Sequence, residues 1–327
     1  MPDITKRAVF QNLKTSAVAA AVALMTSGAV AAKTPNVNFL IPGGAGGGWD
    51  TTARAVGSTL EATDLATVSN YENFTGGGGG RALASFATEA GKYDGTLMVQ
   101  STPLIMRALS GVYKNDWRDT KPVAIMISAY QAIAVPADSE YQTLEQLIAA
   151  MRDNPKDMVV AGGSGRLSLD HVTLGLIAQA SGIDLNSLRY SPAEGGGEAL
   201  DRMLDGGQVK AVVSGVGELL AAAEAGKIRI LGVSSEAPLS GLDYPTFKSQ
   251  GVDVVFSNWR GFFAAPSTSD ADVAAYEQML VDLSQTGEWA ETRATNKWEP
   301  LVIVGDELDA FLASQEAALG DILSKLQ

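Results

Sequence analysis

Three glycine-rich tracts contain the residues of this chain that are best suited to bind a ligand. They read Pro-Gly-Gly-Ala-Gly-Gly-Gly-Trp-Asp-Thr at residues 42–51, Ala-Gly-Gly-Ser-Gly-Arg at 161–166 and Glu-Gly-Gly-Gly-Glu at 194–198. Each tract follows an apolar run typical of a strand and precedes a helical pattern. The first N–H groups of a helix have no partner inside it, and glycine lets a ligand approach them closely. The tracts therefore predict binding of an anion such as a carboxylate.

A second interpretation is open for any one tract, because glycine also serves in tight turns that bind nothing. The presence of three tracts on separate strand–helix units favours binding. A fourth tract, Thr-Gly-Gly-Gly-Gly-Gly-Arg at residues 75–81, is either the same device or a loop that supports it.

The sequences of these tracts do not support nucleotide binding. None of them reads G-x-x-x-x-G-K-[ST], the pattern of a phosphate-binding loop. The dinucleotide pattern G-x-G-x-x-G also fails, because Thr51 and Ser168 stand where its third glycine belongs.

Enzyme chemistry has equally little support. His171 is the only histidine and the chain has no cysteine, which excludes a cysteine nucleophile and any site of several histidines or thiolates. A Ser-His-Asp triad would need His171 as its base, and no serine lies in a G-x-S-x-G turn. His171 is interpreted as a helix-start residue bonded to backbone or to Asp170, with direct ligand contact as the alternative. We predict no catalytic residue, no metal site and no cofactor.

The elements around the tracts alternate between short apolar runs and longer helical patterns. Predicted strands lie at 37–41, 97–100, 123–127, 132–135, 158–161, 209–213, 228–233 and 262–264. Predicted helices lie at 51–60, 144–151, 169–180, 199–204, 271–284 and 307–326. This alternation predicts an α/β fold with mainly parallel sheets flanked by helices.

Two proline-containing polar segments, 136–141 and 257–266, are the predicted places where the chain crosses between two lobes. Lobe I would comprise residues 32–131 and 259–327, and lobe II would comprise residues 132–258. The C-terminal helices would then return to lobe I.

The N-terminus predicts export. Basic residues precede an apolar run at 17–25, and Ala29-Val30-Ala31 offers a cleavage site, so residues 1–31 are predicted to be a signal peptide. A membrane anchor is the alternative, but the run is shorter than the ~20 residues that span a bilayer. Cleavage would change the formal net charge from −13 to −15, since residues 1–31 hold three basic and one acidic side chain. This charge opposes nucleic-acid binding.

Longer stretches of the chain resemble one family, the substrate-binding receptors of tripartite tricarboxylate transporters, which include the Bug-type periplasmic proteins. The matching stretches, in the family's order, are Gly-Gly-Gly-Trp-Asp at 46–50, Ala-Gly-Gly-Ser at 161–164 with Asp170-His171, and the segments 190–197, 226–233, 244–246, 250–255 and 258–266. The resemblance implies a soluble, two-lobed, Venus-flytrap receptor of the periplasmic-binding-protein type II fold.

The resemblance also implies which residues bind the ligand. Backbone groups of the first tract would come from lobe I and those of the second from lobe II, with hydroxyl side chains from three strand ends. The implied residues are Gly47, Gly48, Trp49, Asp50, Thr51, Ser101, Thr102, Gly163, Ser164, Gly165 and Ser214. Two departures from the family pattern, extra glycine and alanine at 42–46 and Arg166 with Leu167, could alter the size of the pocket.

Two of these side chains have alternative roles. Arg166 is either a clamp for a second carboxylate or an exposed residue at the lip of the cleft. Trp49 is either a wall of the pocket or a residue that packs the start of the helix.

The family's Gly-Gly-Gly-Trp-Asp form implies a citrate-like di- or tricarboxylate ligand, a monomer, and integral-membrane transporter subunits as partners. Two alternatives stay open: a sensor component for a two-component system, and an α/β enzyme that acts on a carboxylate.

Overall fold

Ten strands occur among residues 35–89, 91–193 and 195–326, the parts of the chain that the computed structural model describes. The predicted signal peptide lies outside these residues, as does Glu194 of the third tract. The strands are β1 (Asn36–Ile41), β2 (Thr67–Asn73), β3 (Thr96–Ser101), β4 (Lys121–Pro136), β5 (Val159–Gly162), β6 (Arg189–Pro192), β7 (Val209–Gly215), β8 (Ile228–Val233), β9 (Ser257–Ala264) and β10 (Glu299–Val304).

The strands form two sheets that share β4. The first sheet has the order β2-β1-β3-β9-β4-β10 and the second has the order β6-β5-β7-β4-β8. In each sheet the outer three strands are parallel, whereas the strands paired with β4 run antiparallel to it. The sheets are therefore mixed rather than mainly parallel, because a strand that passes between two sheets runs against its neighbours in both.

Strand β4 corrects the predicted crossing at 136–141. It pairs with β9 as far as Tyr130 and with β7 from Gln131 onward, so the chain changes sheets inside one unbroken strand. The segments 123–127 and 132–135, predicted as two strands, belong to it. The second predicted crossing also differs, because Ser257–Ala264 is already paired in the first sheet. Residues 128–131, which lay between the two predicted strands, are where the strand passes from one sheet to the other.

Ten helices cover the sheets in the same described residues. They are α1 (Gly48–Ala62), α2 (Gly80–Thr88), α3 (Pro103–Leu109), α4 (Leu144–Asp153), α5 (Leu169–Ala180), α6 (Gly196–Leu204), α7 (Val216–Glu224), α8 (Asp270–Ser284), α9 (Gly287–Asn296) and α10 (Gly305–Leu326). None of these helices has the length and hydropathy needed to cross a bilayer.

Buried apolar side chains form a core on the faces of both sheets. One cluster joins β1, α1 and α8 on the first sheet, and another joins α6 and α7 on the second. The last helix, α10, packs on α3 beside the first sheet and on α5 beside the second. The α/β, two-lobed fold predicted from the sequence is confirmed, and it brings the carboxyl ends of β1, β3, β5 and β7 to the helix starts that carry the tracts.

Candidate ligand-binding site

The first tract is held in place by the side chain of Asp50. This carboxylate is 4 % exposed and accepts hydrogen bonds from the Gly46 N–H at 2.9 Å, from Arg54 Nε at 2.9 Å and from Asn73 Nδ2 at 3.0 Å. Burial acts to raise the pKa of Asp50, but the hydrogen bonds and the Arg54 charge outweigh it and lower the pKa. A charged Asp50 thus fixes the loop ahead of α1, which gives it a structural role in addition to the predicted backbone contact.

The first turn of α1 offers three unoccupied donors. Thr51 N donates to Gly47 O at 2.9 Å, as expected for the first intrahelical bond. The N–H groups of Gly48, Trp49 and Asp50 have no acceptor within the described residues. These donors stand at the positive end of the helix dipole, where an anion is stabilised.

A small cavity of about 190 Å³ lies against this turn. Its lining residues are Gly43, Gly44, Gly47, Gly48, Trp49, Ser101, Pro103, Asn258 and Arg260. Trp49 forms one wall and donates from Nε1 to Ser101 Oγ at 2.9 Å. The Ser101 hydroxyl can therefore still donate its own hydrogen toward the cavity.

Thr102 does not fit the role that the sequence implies for it. Its side chain is fully buried, its hydroxyl donates to Ser257 O at 3.0 Å, and it accepts from Trp259 N at 3.2 Å. Both functions of the hydroxyl are used to tie the end of β3 to β9, so Thr102 supports the floor of the cleft and does not line the small cavity.

Arg260 is a candidate ligand-binding residue absent from the sequence-based set. Its Nη1 donates to Gly48 O at 3.1 Å and to Thr52 Oγ1 at 2.9 Å. No carboxylate of the described residues lies within ion-pair distance of it. Burial lowers the pKa of Arg260 to about 10, against an opposing effect of Glu218, and this value leaves it charged at neutral pH. A half-buried guanidinium without a carboxylate partner suits an anionic ligand.

Asn258 is a second candidate ligand-binding residue that is absent from the sequence-based set. It is 8 % exposed, lines the small cavity, and its Oδ1 has no hydrogen-bond partner among the described residues. Positions 258 and 260 share one face of β9, because side chains alternate along a strand. The sequence pattern that could have identified them is a pair of polar residues at positions i and i+2, directly before the apolar run 261–265.

The second tract uses its helix start differently. Ser164 Oγ accepts from Asp170 N at 3.2 Å, and the Ser164 carbonyl accepts from the Tyr190 hydroxyl at 2.5 Å. His171 Nδ1 accepts from Leu167 N at 3.0 Å, the helix-start role considered for this histidine. The Ser164 hydroxyl also hydrogen-bonds the Asp170 carboxylate, so its own hydrogen is occupied in this structure, and Gly165 is exposed.

Asp170 and His171 both have displaced pKa values. Burial, with a further contribution from the charge of Glu218, raises the pKa of Asp170 to about 7, although hydrogen bonds from Ser164 and Gly163 oppose this. Burial and the charge of Arg166 lower the pKa of His171 to about 4. Near neutral pH the histidine is uncharged and Asp170 is close to its midpoint.

The second and third tracts are in direct backbone contact. A Cβ at Gly163 would lie 2.2 Å from Gly196 N, and a Cβ at Gly196 would lie 2.0 Å from Glu218 Oε2. These positions require glycine because backbone and side chain fill the space. The strand ends of β5, β6 and β7 thus converge on the start of α7.

Two other candidate residues already have partners here. Ser214 Oγ donates to Glu218 Oε2 at 2.5 Å, which takes the hydrogen that a ligand would need. Arg166 is exposed and its Nη2 donates to Tyr190 O at 3.2 Å, so it lies at the edge of the second tract.

The fourth tract supports the first. A Cβ at Gly79 would lie 3.2 Å from both Cβ and O of Pro42, and the Tyr113 hydroxyl donates to Gly78 O. The sequence left two interpretations of the fourth tract, a further anion-binding turn or a supporting loop. These contacts agree with the supporting loop.

The comparisons with known proteins agree with this architecture. Residues 62–327 match the model of the tripartite tricarboxylate transporter family receptor. A UPF0065 protein from the gbd 5′ region of Cupriavidus necator is 25 % identical over 259 residues, covering 78 % of this chain and 76 % of that protein.

Two solved structures share the fold. A TctC solute-binding protein from Polaromonas has a TM-score of 0.75 at 21 % identity, covering 89 % of this chain and 98 % of its own. MatC from Rhodopseudomonas palustris, solved with bound malate, has a TM-score of 0.68 at 20 % identity, covering 88 % and 98 %. The resemblance seen in the glycine tracts and the Trp-Arg-Gly segment is confirmed: the chain belongs to the tripartite tricarboxylate transporter receptor family.

Proposed function

We propose that this protein is a periplasmic receptor that binds a small di- or tricarboxylate of the citrate type. It then passes the ligand to the integral-membrane subunits of a tripartite tricarboxylate-type transporter. The proposed lobes are residues 32–131 with 259–327, and residues 132–258. The ligand lies between them, and binding requires no cofactor or metal.

One observation carries the proposal. The Arg260 guanidinium has no carboxylate partner among the described residues and lies directly beside Gly48, at the start of α1 with its three free N–H groups. A carboxylate in the small cavity would pair with the guanidinium and accept from these donors at once. Such local donors attract an anion in spite of the net charge of −13.

The remaining proposed contacts come from the predicted set. Backbone groups of Gly47, Gly48 and Trp49 and the Ser101 hydroxyl lie on the small cavity. The backbone groups of Ser164 and Gly165 would approach from the second tract when the lobes close. Malate in the related Rhodopseudomonas protein supports the same class of ligand.

The test is a thermal-shift panel at neutral pH on protein purified without refolding. Di- and tricarboxylates should raise the melting temperature, because a ligand that binds only the folded state adds about 2.7 kcal/mol at a hundredfold its dissociation constant. The methyl esters of the same acids, which lack the charge, should not. Equal stabilisation by acids and esters would contradict a carboxylate receptor. Native mass spectrometry of the same preparation would identify an acid retained during purification.

A further inference from the structure

A large cavity of about 470 Å³ adjoins the small one, and Arg260 lines both. It lies between the start of α7, which packs on the second sheet, and the segment from α9 to β10, which lies beside the first sheet. The proposed contacts of the first carboxylate leave this volume unused. The large cavity is therefore available to the remainder of the ligand.

The two walls of the large cavity differ in charge. The α9 wall carries Arg293, half-buried, and Lys297, exposed, and neither side chain has a hydrogen bond or ion pair within the described ranges. The α7 wall carries Glu218, which accepts from Ser214 Oγ. Glu299 is occupied too, since its carboxylate accepts from the N–H and the hydroxyl of Ser240. Among the charged side chains of this lining, Arg293 and Lys297 are therefore the two whose donors are unoccupied by described residues, and both lie on the α9 wall, whereas Glu218 places a negative charge on the α7 wall.

Apolar side chains also line the large cavity. The Trp298 ring lies 5.7 Å from the Arg260 guanidinium carbon, and Leu239, Leu242 and Val216 also line the cavity. A methylene chain would be buried against these side chains, whereas a charged group there would lose its hydration. The lining favours charge at the two ends of a ligand and an apolar segment between them.

We propose that Arg293 and Lys297 form a second anion subsite, which binds the distal carboxylate of a ligand whose first carboxylate lies between Arg260 and the start of α1. This rests on the proposed function and names the ligand more closely: a diacid whose carboxylates are separated by an apolar spacer. Glu218 repels the distal carboxylate from the α7 wall, so the ligand is directed to α9.

Matched pairs of acids provide the test. Isothermal titration compares glutarate with valerate, adipate with hexanoate and suberate with octanoate, because each pair has one chain length and differs only in the distal carboxylate. Glutarate has the main chain of citrate. In the unaltered protein at least one diacid should bind about tenfold or more tightly than its partner, the ratio expected when a charged hydrogen bond is gained.

Arg293→Gln should reduce this ratio about tenfold toward one and leave the affinity for the monoacid unchanged. Lys297→Asn is the second variant, because Lys297 has φ +56° and asparagine tolerates this left-handed conformation. Lys210→Gln is the control. It removes one exposed positive charge near the start of β7, at the end of the strand opposite Ser214, and should leave the ratio unchanged.

The outcomes separate the subsite from the receptor function. Equal affinities for diacids and monoacids in the unaltered protein would overturn the subsite and leave the first carboxylate site standing. A ratio that persists in both Arg293→Gln and Lys297→Asn, or that falls equally in Lys210→Gln, would also overturn it. If no acid of either kind binds, the proposed function fails and the subsite fails with it.

Discussion

Arg260 donates a hydrogen bond to the carbonyl oxygen of Gly48 at 3.1 Å. A Cβ on residue 48 would lie 2.6 Å from Arg260 Nη2, so a side chain there would require the guanidinium to move. The start of α1 and the strand β9 are thereby joined into one binding surface, in which the helix supplies N–H donors and the strand supplies a positive charge. Substitutions on either side of this contact test the proposed site.

Gly48→Asp should abolish ligand binding while the protein stays folded. The new carboxylate would pair with Arg260 and occupy the place proposed for the ligand, adding a like charge against it. Gly48→Asn is the matched variant, with the same bulk and no charge, and should bind more weakly than the unaltered protein but better than Gly48→Asp. Isothermal titration with the best acid of the panel measures both. Unchanged affinity in Gly48→Asp would remove this turn from the site.

Arg260→Gln should weaken binding by roughly 1.5 to 3 kcal/mol, the contribution of hydrogen bonds to a charged group. Arg260→Lys should lie between the two, because lysine keeps the charge but cannot hold Gly48 O and a carboxylate with one planar group. Arg189→Gln is the control, as Arg189 is an exposed arginine bonded to Lys156 O. If Arg260→Gln and Arg189→Gln bind the acid equally well, Arg260 is not a ligand-binding residue.

The first residues of the site could be predicted from sequence because their signal is local. A glycine tract between an apolar run and a helical pattern identifies the start of α1, and the same holds for α5, whose predicted bounds 169–180 agree with Leu169–Ala180. Strand β2 was missed because most of its residues are exposed and polar, so no apolar periodicity marks it. The fold class followed from the alternation alone and did not depend on such edge strands.

Contacts between distant parts of the chain were not predictable in this way. Thr102 precedes a helix and looked like a ligand contact, yet its hydroxyl bonds Ser257 and Trp259, more than 150 positions away. Ser214 also looked free, although its partner Glu218 is only four positions away, because the sequence does not show that the first turn of α7 brings the two side chains together. Arg260 lies on a strand outside any glycine tract, and only the pairing of β9 with β3 and β4 places it beside Gly48.

Gly163→Ala should destabilise the protein by roughly 1 to 3 kcal/mol, the usual cost of forcing a group into a filled site. The reason is the distance of 2.2 Å between the new Cβ and Gly196 N, a backbone atom that cannot rotate away. Gly165→Ala in the same tract is the control, since nothing lies within 4 Å of its Cβ position. Urea unfolding without ligand gives both free energies, and equal values would mean that the second and third tracts are not packed as described.

Asp170 and His171 should give the stability of the unliganded protein two opposing dependences on pH. Burial raises the pKa of Asp170 from 3.8 to about 7, so between these values the folded protein keeps a proton that the unfolded chain loses. Its contribution is fully present below pH 3.8 and is lost as the pH rises through 7. Burial lowers the pKa of His171 from 6.5 to about 4, so between these values the unfolded chain holds the extra proton. That contribution is present above pH 6.5 and is lost as the pH falls through 4.

Single substitutions should expose each dependence separately. His171→Gln removes the His171 contribution, which grows with pH, so the free energy of unfolding relative to the unaltered protein should fall as the pH rises from 4.5 to 6.5. Asp170→Asn removes the Asp170 contribution, which shrinks with pH, so the same difference should rise over this range. One proton limits either slope to about 1.4 kcal/mol per pH unit. Urea unfolding at pH 4.5, 5.5 and 6.5 measures the differences, in which the titration of other carboxylates cancels. Curves for both variants that run parallel to that of the unaltered protein would show that these two groups titrate alike in the folded and unfolded chains.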